Sequence, residues 1–165
     1  MKAISAIDKK VFTLPQLLAQ VAAWRVTNKT IAFTNGCFDI FHEGHIFSLS
    51  QAAKEADYLI VGVNSDSSTK KLKGPERPVN NEHSRAFLLA NLTIVDAAVI
   101  FDEDTPLELI TSILPDVLVK GGDYTIEQII GSKQVLANGG RVVINPIVEG
   151  FSTTGIIKQI KASFS

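Results

Sequence analysis

Residues Tyr58-Leu-Ile-Val-Gly-Val63 form an unbroken apolar run. It lacks the alternation of a strand with one wet face and suits a strand buried on both sides. A sheet covered on both faces needs helices on each, joined to parallel strands by right-handed crossovers. The rest of the chain reads that way. Further strands are expected at Ile31-Ala-Phe33, ending at the Asn35-Gly36 turn, and at 97–101, 117–119 and 141–144. Thr13-Leu-Pro15 is a helix start, followed by Leu17, Leu18, Val21, Ala22 and Trp24 at helical spacing. A second helix begins near His45 and carries Ile46, Phe47, Leu49, Ala52, Ala53 and Ala56. Others are expected over 81–92, from Thr105-Pro106 to the stop at Pro115, over 126–137 with a break at Gly131, and from Ser152 onward. The expected fold is α/β: one doubly wound sheet of about five parallel strands with helices on both faces. At 165 residues and 17.9 kDa the chain suits a single domain with a real core, read as a helical extension over 1–27 and a core over 28–160.

Lys and Arg total 16 against 17 Asp and Glu, a net charge of -1, so nothing global points to nucleic acid or an anionic membrane. The start, Met1-Lys-Ala-Ile-Ser-Ala-Ile-Asp8, is too short an apolar run for a signal peptide, and no stretch has the length of a membrane span. A cytoplasmic protein is expected. The single cysteine, Cys37, offers neither an internal disulfide nor a structural zinc site.

Polar residues concentrate after the strands. Residues 64–80 read as a long basic loop, with Lys70, Lys71, Lys73, Arg77, Gly74, Pro75 and Pro78, and long loops inside compact domains are often functional. Lys120-Gly-Gly-Asp123 follows the 117–119 strand. In open parallel sheets ligands collect beyond the carboxyl ends of strands, where the strand order reverses, so these segments share a rim with the turn after Asn35.

That turn carries neither of the familiar nucleotide grips: no G-x-G-x-x-G follows the strand, and no G-x-x-x-x-G-K-[ST] occurs. Instead it runs Gly36-Cys-Phe-Asp-Ile-Phe-His-Glu-Gly-His45. On spacing alone, His42 and His45 at a helix mouth could cap the helix, lie on the surface, grip an anion with the helix N-terminus, or hold a metal with Asp39. Ser152 could be an ordinary N-cap or a phosphate ligand. The loop lysines could be merely solvated.

The whole decapeptide fills the pattern G-x-F-D-x-x-H-x-G-H and resembles the cytidylyltransferase-like nucleotidyltransferase superfamily, whose fold is Rossmann-like. Glu149-Gly-Phe-Ser-Thr-Thr154 resembles its second signature. The resemblance implies that His42 and His45 hold a nucleoside triphosphate and stabilise the phosphorus under attack, with Lys73 as the third catalytic group. It implies nucleotide binding by Asn35, Gly36, Cys37, Phe38, Asp39, Gly44, Arg85, Gly121, Ser152, Thr153 and Thr154. Asn64, Asp66, Lys71, Lys120 and Asp123 are assigned to the second substrate.

Leu72-Lys-Gly-x-x-Arg-Pro-Val79, Thr34-Asn-Gly-Cys37, Val63-Asn-Ser-Asp66, Val119-Lys-Gly-Gly-Asp-Tyr124 and Gly131-Ser-Lys133 resemble, more narrowly, the adenylyltransferase domain of the enzymes that make ADP-heptose, over about residues 28–160. This implies ATP and a heptose 1-phosphate as substrates, Mg²⁺ carried on the phosphates with no protein metal site, a homodimer, and a stand-alone domain served by a separate sugar kinase. Ile147 and Val148 stand where glycerol-phosphate cytidylyltransferases carry arginine and threonine, which points away from glycerol phosphate and CTP. A cytidylyl- or guanylyltransferase for another phosphorylated alcohol or sugar is the alternative within the class. A nucleotide-binding regulatory domain without catalysis is the alternative outside it.

Overall fold

The computed structural model describes residues 9–146 and 150–163. Ile147, Val148 and Glu149, which entered the comparison of signatures, lie outside the described residues. Six parallel strands make one sheet in the order β1-β4-β3-β2-β5-β6. They are β1 Val11–Phe12, β2 Ile31–Gly36, β3 Tyr58–Asn64, β4 Ala97–Phe101, β5 Val117–Gly121 and β6 Arg141–Asn145. The helices are α1 Leu14–Val26, α2 Glu43–Ala53, α3 Asp66–Lys73, α4 Glu82–Ala90, α5 Leu107–Ile113, α6 Ser132–Ala137 and α7 Thr153–Ser163, with a 3₁₀ turn at Ile126–Gln128.

Alternation along the strands splits the core in two. Ile31, Phe33, Ile60, Val99 and Leu118 face α1, α5 and α6, meeting Leu17, Val21, Leu109, Ile110, Ile113 and Val135. Ala32, Leu59, Val61, Val63 and Ala98 face α2 and α4, meeting Leu49, Ala52, Ala86 and Leu89. This explains the apolar run from which the fold was read: β3 lies between β2 and β4, and both of its faces need oil. Each fully buried Leu, Ile or Phe contributes about 1.5–3 kcal/mol over leaving it in water.

Three expectations require correction. The segment read as purely helical also supplies β1, two residues paired with Ala98 and Val99 at the sheet edge, which brings the sheet of about five strands to six among the described residues. So short a strand has no periodicity to read. Residues 64–80 are not all loop, since 66–73 form α3. That helix has no apolar stripe. It is held by the Ser65 hydroxyl accepting from the Ser68 amide at 3.0 Å, by Asp66 in its first turn, and by Lys70, Lys71 and Lys73 in its last, which suits the helix dipole. Lastly, β5 runs through Lys120 and Gly121, so these residues end a strand rather than start a loop. The expected break at Gly131 is present, with φ of 86° and Ile110 packed where a Cβ would stand, 2.8 Å away.

The chain passes from β2 outward through β3 to β4, then returns to the other side of β2 for β5 and β6. The strand order therefore reverses between β2 and β5, where a ligand crevice is expected.

Candidate active site

A cleft of about 650 Å³ opens at that reversal. Its walls come from the ends of β2 and β5, the mouth of α2, the end of α3, the segment before α5, and the start of α7. Of the residues singled out from the sequence, Asn35, Gly36, Cys37, Phe38, Asp39, His42, His45, Asn64, Lys73, Lys120, Ser152, Thr153 and Thr154 line it.

Within the decapeptide each defined position has a separate physical role. Phe38 takes a left-handed backbone (φ 48°), a conformation costly for a bulky residue. Its ring then lies over Gly36, where a Cβ would come within 3.1 Å of it, and edge-on to His45 at 5.3 Å. His42 is the N-cap of α2, and its ring stacks on His45 with centroids 3.8 Å apart. The His42 amide donates to Nδ1 of His45 at 3.3 Å, which leaves the proton of the neutral ring on Nε2. Gly44 does not line the cleft. A Cβ there would stand 3.1 Å from both Nδ1 of His42 and Cβ of Phe151, so this glycine makes room for the histidine ring.

Burial lowers the pKa of both imidazoles, and for His45 the neighbouring His42 adds to the effect, bringing it to about 4. Both are neutral at pH 7. Nδ1 of His42 is buried without a hydrogen-bond partner among the described residues, an arrangement that normally costs free energy and that functional sites tolerate.

Asp39 lines the cleft but is spent on structure. Its carboxylate accepts from the Val79 and Asn80 amides (2.8 and 2.9 Å) and from Nε of Arg77 at 2.6 Å. Burial raises its pKa, but the Asn80 and Val79 amides and the Arg77 guanidinium outweigh that and hold it below the usual carboxylate range. It thus latches the 74–81 loop onto the first motif.

Arg85, expected at the triphosphate, is 2% exposed and outside the cleft. Its donors go to the carbonyls of Asn80 (2.9 Å), Cys37 (2.6 Å) and Asn64 (2.7 Å) and to the Asp66 carboxylate (2.8 Å). It ties the ends of β2 and β3 to the loop. Asp66, expected at the second substrate, is Arg85's partner and opens α3. Lys71 pairs with Asp104 at 2.7 Å on the surface, whereas Lys73 reaches the cleft. Asp123 is exposed and Gly121 ends β5, and neither lines the cleft.

The cleft keeps two cations with no carboxylate partner among the described residues, Lys73 and Lys120. Lys120 approaches only Oδ1 of Asn35, at 3.4 Å, and burial lowers its pKa. At the opposite side α7 begins. Ser152 accepts from the Gly155 amide at 3.0 Å, and the Thr153 hydroxyl donates to the Ile40 carbonyl at 3.3 Å, pinning the helix to the first motif. A helix N-terminus, neutral imidazole donors and uncompensated ammonium groups around one cleft make a receptor for a polyanion.

The sequence reading assigned no role to Tyr124, Phe151, Ile130 or Pro106, which line the cleft, and left Arg77 only as part of a basic loop. Tyr124 and Phe151 stood inside the quoted motifs. For Tyr124 a signal was Gly122, two residues before it: its φ is 129°, and a Cβ there would stand 2.7 Å from the Tyr124 ring. Among the described residues, no group of three His, Cys, Asp or Glu side chains could hold a metal, and no helix is long and apolar enough to cross a membrane.

Comparison with known proteins agrees with this geometry. Residues 33–159 match the family model described as cytidylyltransferase-like. The chain is 56% identical over 143 residues to the bifunctional protein HldE of Hyphomonas neptunium, covering 87% of this chain and 29% of that protein. It is 49% identical over 162 residues to HldE of Rhodopseudomonas palustris, covering 98% of this chain and 33% of that one. The chain therefore spans about a third of the length of these relatives. Among solved structures, a lipopolysaccharide core biosynthesis protein from Thermoplasma volcanium is 29% identical with a TM-score of 0.58, over 73% of this chain and 97% of that one. Pantoate-beta-alanine ligase from Francisella tularensis, at 14% identity and a TM-score of 0.60 over 94% of this chain and 78% of that one, shares the fold. With the two signatures converging on one cleft at the strand-order reversal, this chain belongs to the cytidylyltransferase-like family.

Proposed function

We propose that this chain transfers the adenylyl group of ATP to D-glycero-D-manno-heptose 1-phosphate, giving ADP-heptose and pyrophosphate. The observation that carries the reading is the convergence of His42, His45, Lys73 and the start of α7 on one cleft. The choice of acceptor and base is supported by the 72–79 and 119–124 strings and by the 49–56% identity to HldE proteins.

An oxygen of the sugar phosphate bonds to the α-phosphorus of ATP while the α–β bridging bond breaks, and its electron pair leaves with pyrophosphate. The attacking phosphate is already anionic at neutral pH, so no general base is required. Catalysis is then a matter of positioning and of donors aimed at the charge building on the phosphoryl oxygens. Nε2–H of neutral His45 supplies one such donor, and the Lys73 ammonium neutralises the departing phosphates. Of the acidic side chains lining the cleft, Asp39 has its carboxylate engaged by three donors, and Asp104 is paired with Lys71. This donor set fits Mg²⁺ held mainly by phosphate oxygens and water; the ion would neutralise triphosphate charge.

Pyrophosphate release is measured for four nucleoside triphosphates against both heptose 1-phosphate anomers, glycerol 3-phosphate and phosphocholine. ATP with a heptose 1-phosphate is the expected productive pair. Release with another acceptor and none with any heptose phosphate refutes the substrate assignment. His42→Ala and His45→Ala are each expected to lose on the order of 10²-fold or more in turnover while remaining folded; wild-type turnover in both refutes the catalytic assignment.

A further inference from the structure

A second chamber, of about 190 Å³, opens off the cleft between the ends of β2 and β5. Pro106, Leu118, Ile129 and Ile130 give it apolar walls, while Asn35, Tyr124, Gln128 and Lys120 place polar groups on it. None of His42, His45, Ser152, Thr153 or Thr154 lines it, so the groups assigned to the triphosphate lie outside. At this volume the chamber can take one small ring system.

The charge pattern decides between the two ring systems in play. Among the described residues Lys120 is the one charged residue lining the chamber, and it stands where chamber and cleft meet, since it lines both. No carboxylate among the described residues lines the chamber. A half-buried ammonium that donates to an amide oxygen at 3.4 Å is poorly compensated and favours an anion beside it. A nucleobase brings no anion to its own pocket, whereas a sugar phosphate carries its phosphate directly on the ring. The amides of Asn35 and Gln128 and the Tyr124 hydroxyl offer donors and acceptors for ring hydroxyls.

We infer that this chamber is the acceptor subsite, holding the ring of a sugar phosphomonoester with its phosphate against Lys120. Resting on the function proposed above, the inference makes Lys120 a substrate-binding residue and Tyr124 and Gln128 determinants of which sugar is accepted.

Calorimetric titration tests it with two probes, D-glycero-D-manno-heptose 1-phosphate and the magnesium complex of α,β-methylene ATP, which cannot transfer its adenylyl group. Gln128→Trp fills the chamber; Gln128→Leu, which loses the same hydrogen bond to the Thr125 amide (2.8 Å) without filling the space, is its control. Gln128→Trp is expected to weaken the sugar phosphate at least about tenfold relative to Gln128→Leu, while leaving the nucleotide within about twofold. Lys120→Met is expected to weaken the sugar phosphate similarly, with partial recovery in Lys120→Arg. Selective loss of nucleotide binding in Gln128→Trp, equal loss of both ligands, or no change in either overturns the inference. A wild-type protein that binds no nucleotide overturns the proposed function and this inference together, and it is recognised before any variant is made.

Discussion

Replacing Arg85 by methionine separates two roles for that residue. As a triphosphate ligand its loss would weaken nucleotide binding and leave stability intact. As the structure has it, the guanidinium serves three backbone carbonyls, from residues 37, 64 and 80, and the Asp66 carboxylate. Methionine keeps the aliphatic stem but removes every donor. A buried acceptor left unpaired costs about 1–3 kcal/mol, and three carbonyls lose their donor, while the Asp66 carboxylate, 34% exposed, is rehydrated and adds little. These overlap rather than add, so the expected loss is about 3–5 kcal/mol. Domains of this kind hold only about 5–15 kcal/mol in total. For a chain of this size the expected loss corresponds to a fall in Tm of roughly 6–20 °C. Urea unfolding followed by circular dichroism should show a lower midpoint with an unchanged m-value. A loss below about 1 kcal/mol, accompanied by tenfold weaker ATP binding, would refute the scaffold role and restore the ligand role.

Gly44→Ala should leave stability nearly unchanged, since the helix-propensity gain of up to about 1 kcal/mol offsets crowding; turnover should fall because the new methyl presses on the His42 ring 3.1 Å away, and full turnover would show that the ring has room to yield. Lys73→Ala should raise the Kd for ATP while Lys71→Ala, already paired with Asp104 on the surface, should not; the reverse result would mean the ion pair opens on binding. The His45 ring proton, followed by NMR in ligand-free protein, should titrate near pH 4, and its midpoint should rise when a triphosphate is bound. With the folded pKa depressed, the unfolded state binds the proton more readily, so His45's contribution to stability is present above about pH 6.5 and is lost as pH falls toward 4. A ligand-free midpoint near 6.5 would contradict the burial argument.

The main elements of the fold could be read locally. Tyr58 to Val63 is apolar on both faces, the spacing from Ile46 to Ala56 is helical, and a turn at Gly139-Gly140 precedes the last strand; these signals are local, whereas the turn expected at Asn35-Gly36 is instead the end of β2, paired with Gly62 and Val63. The two signatures likewise stood intact in the chain, and with them most of the residues that line the cleft. Helix α3 escaped notice because it is polar throughout and draws its stability from its caps and termini. Strand β1 escaped because two residues become a strand only through pairing with β4.

Sequence alone determined that strands and helices alternate, that the sheet is parallel and covered on both faces, and that a histidine pair opens a helix. Tertiary structure alone decided what the charged residues do. Arg85 and Asp39 look like ligands in the chain because they are charged and stand in or near motifs. They are framework because carbonyls and amides from segments up to 48 residues away converge on them, and a buried charge takes whichever partners desolvate it least. Lys73 and Lys120 remain uncompensated because no carboxylate among the described residues is brought to them. Which lysine finds a partner depends on strand order and crossover geometry, and no spacing along the chain encodes it.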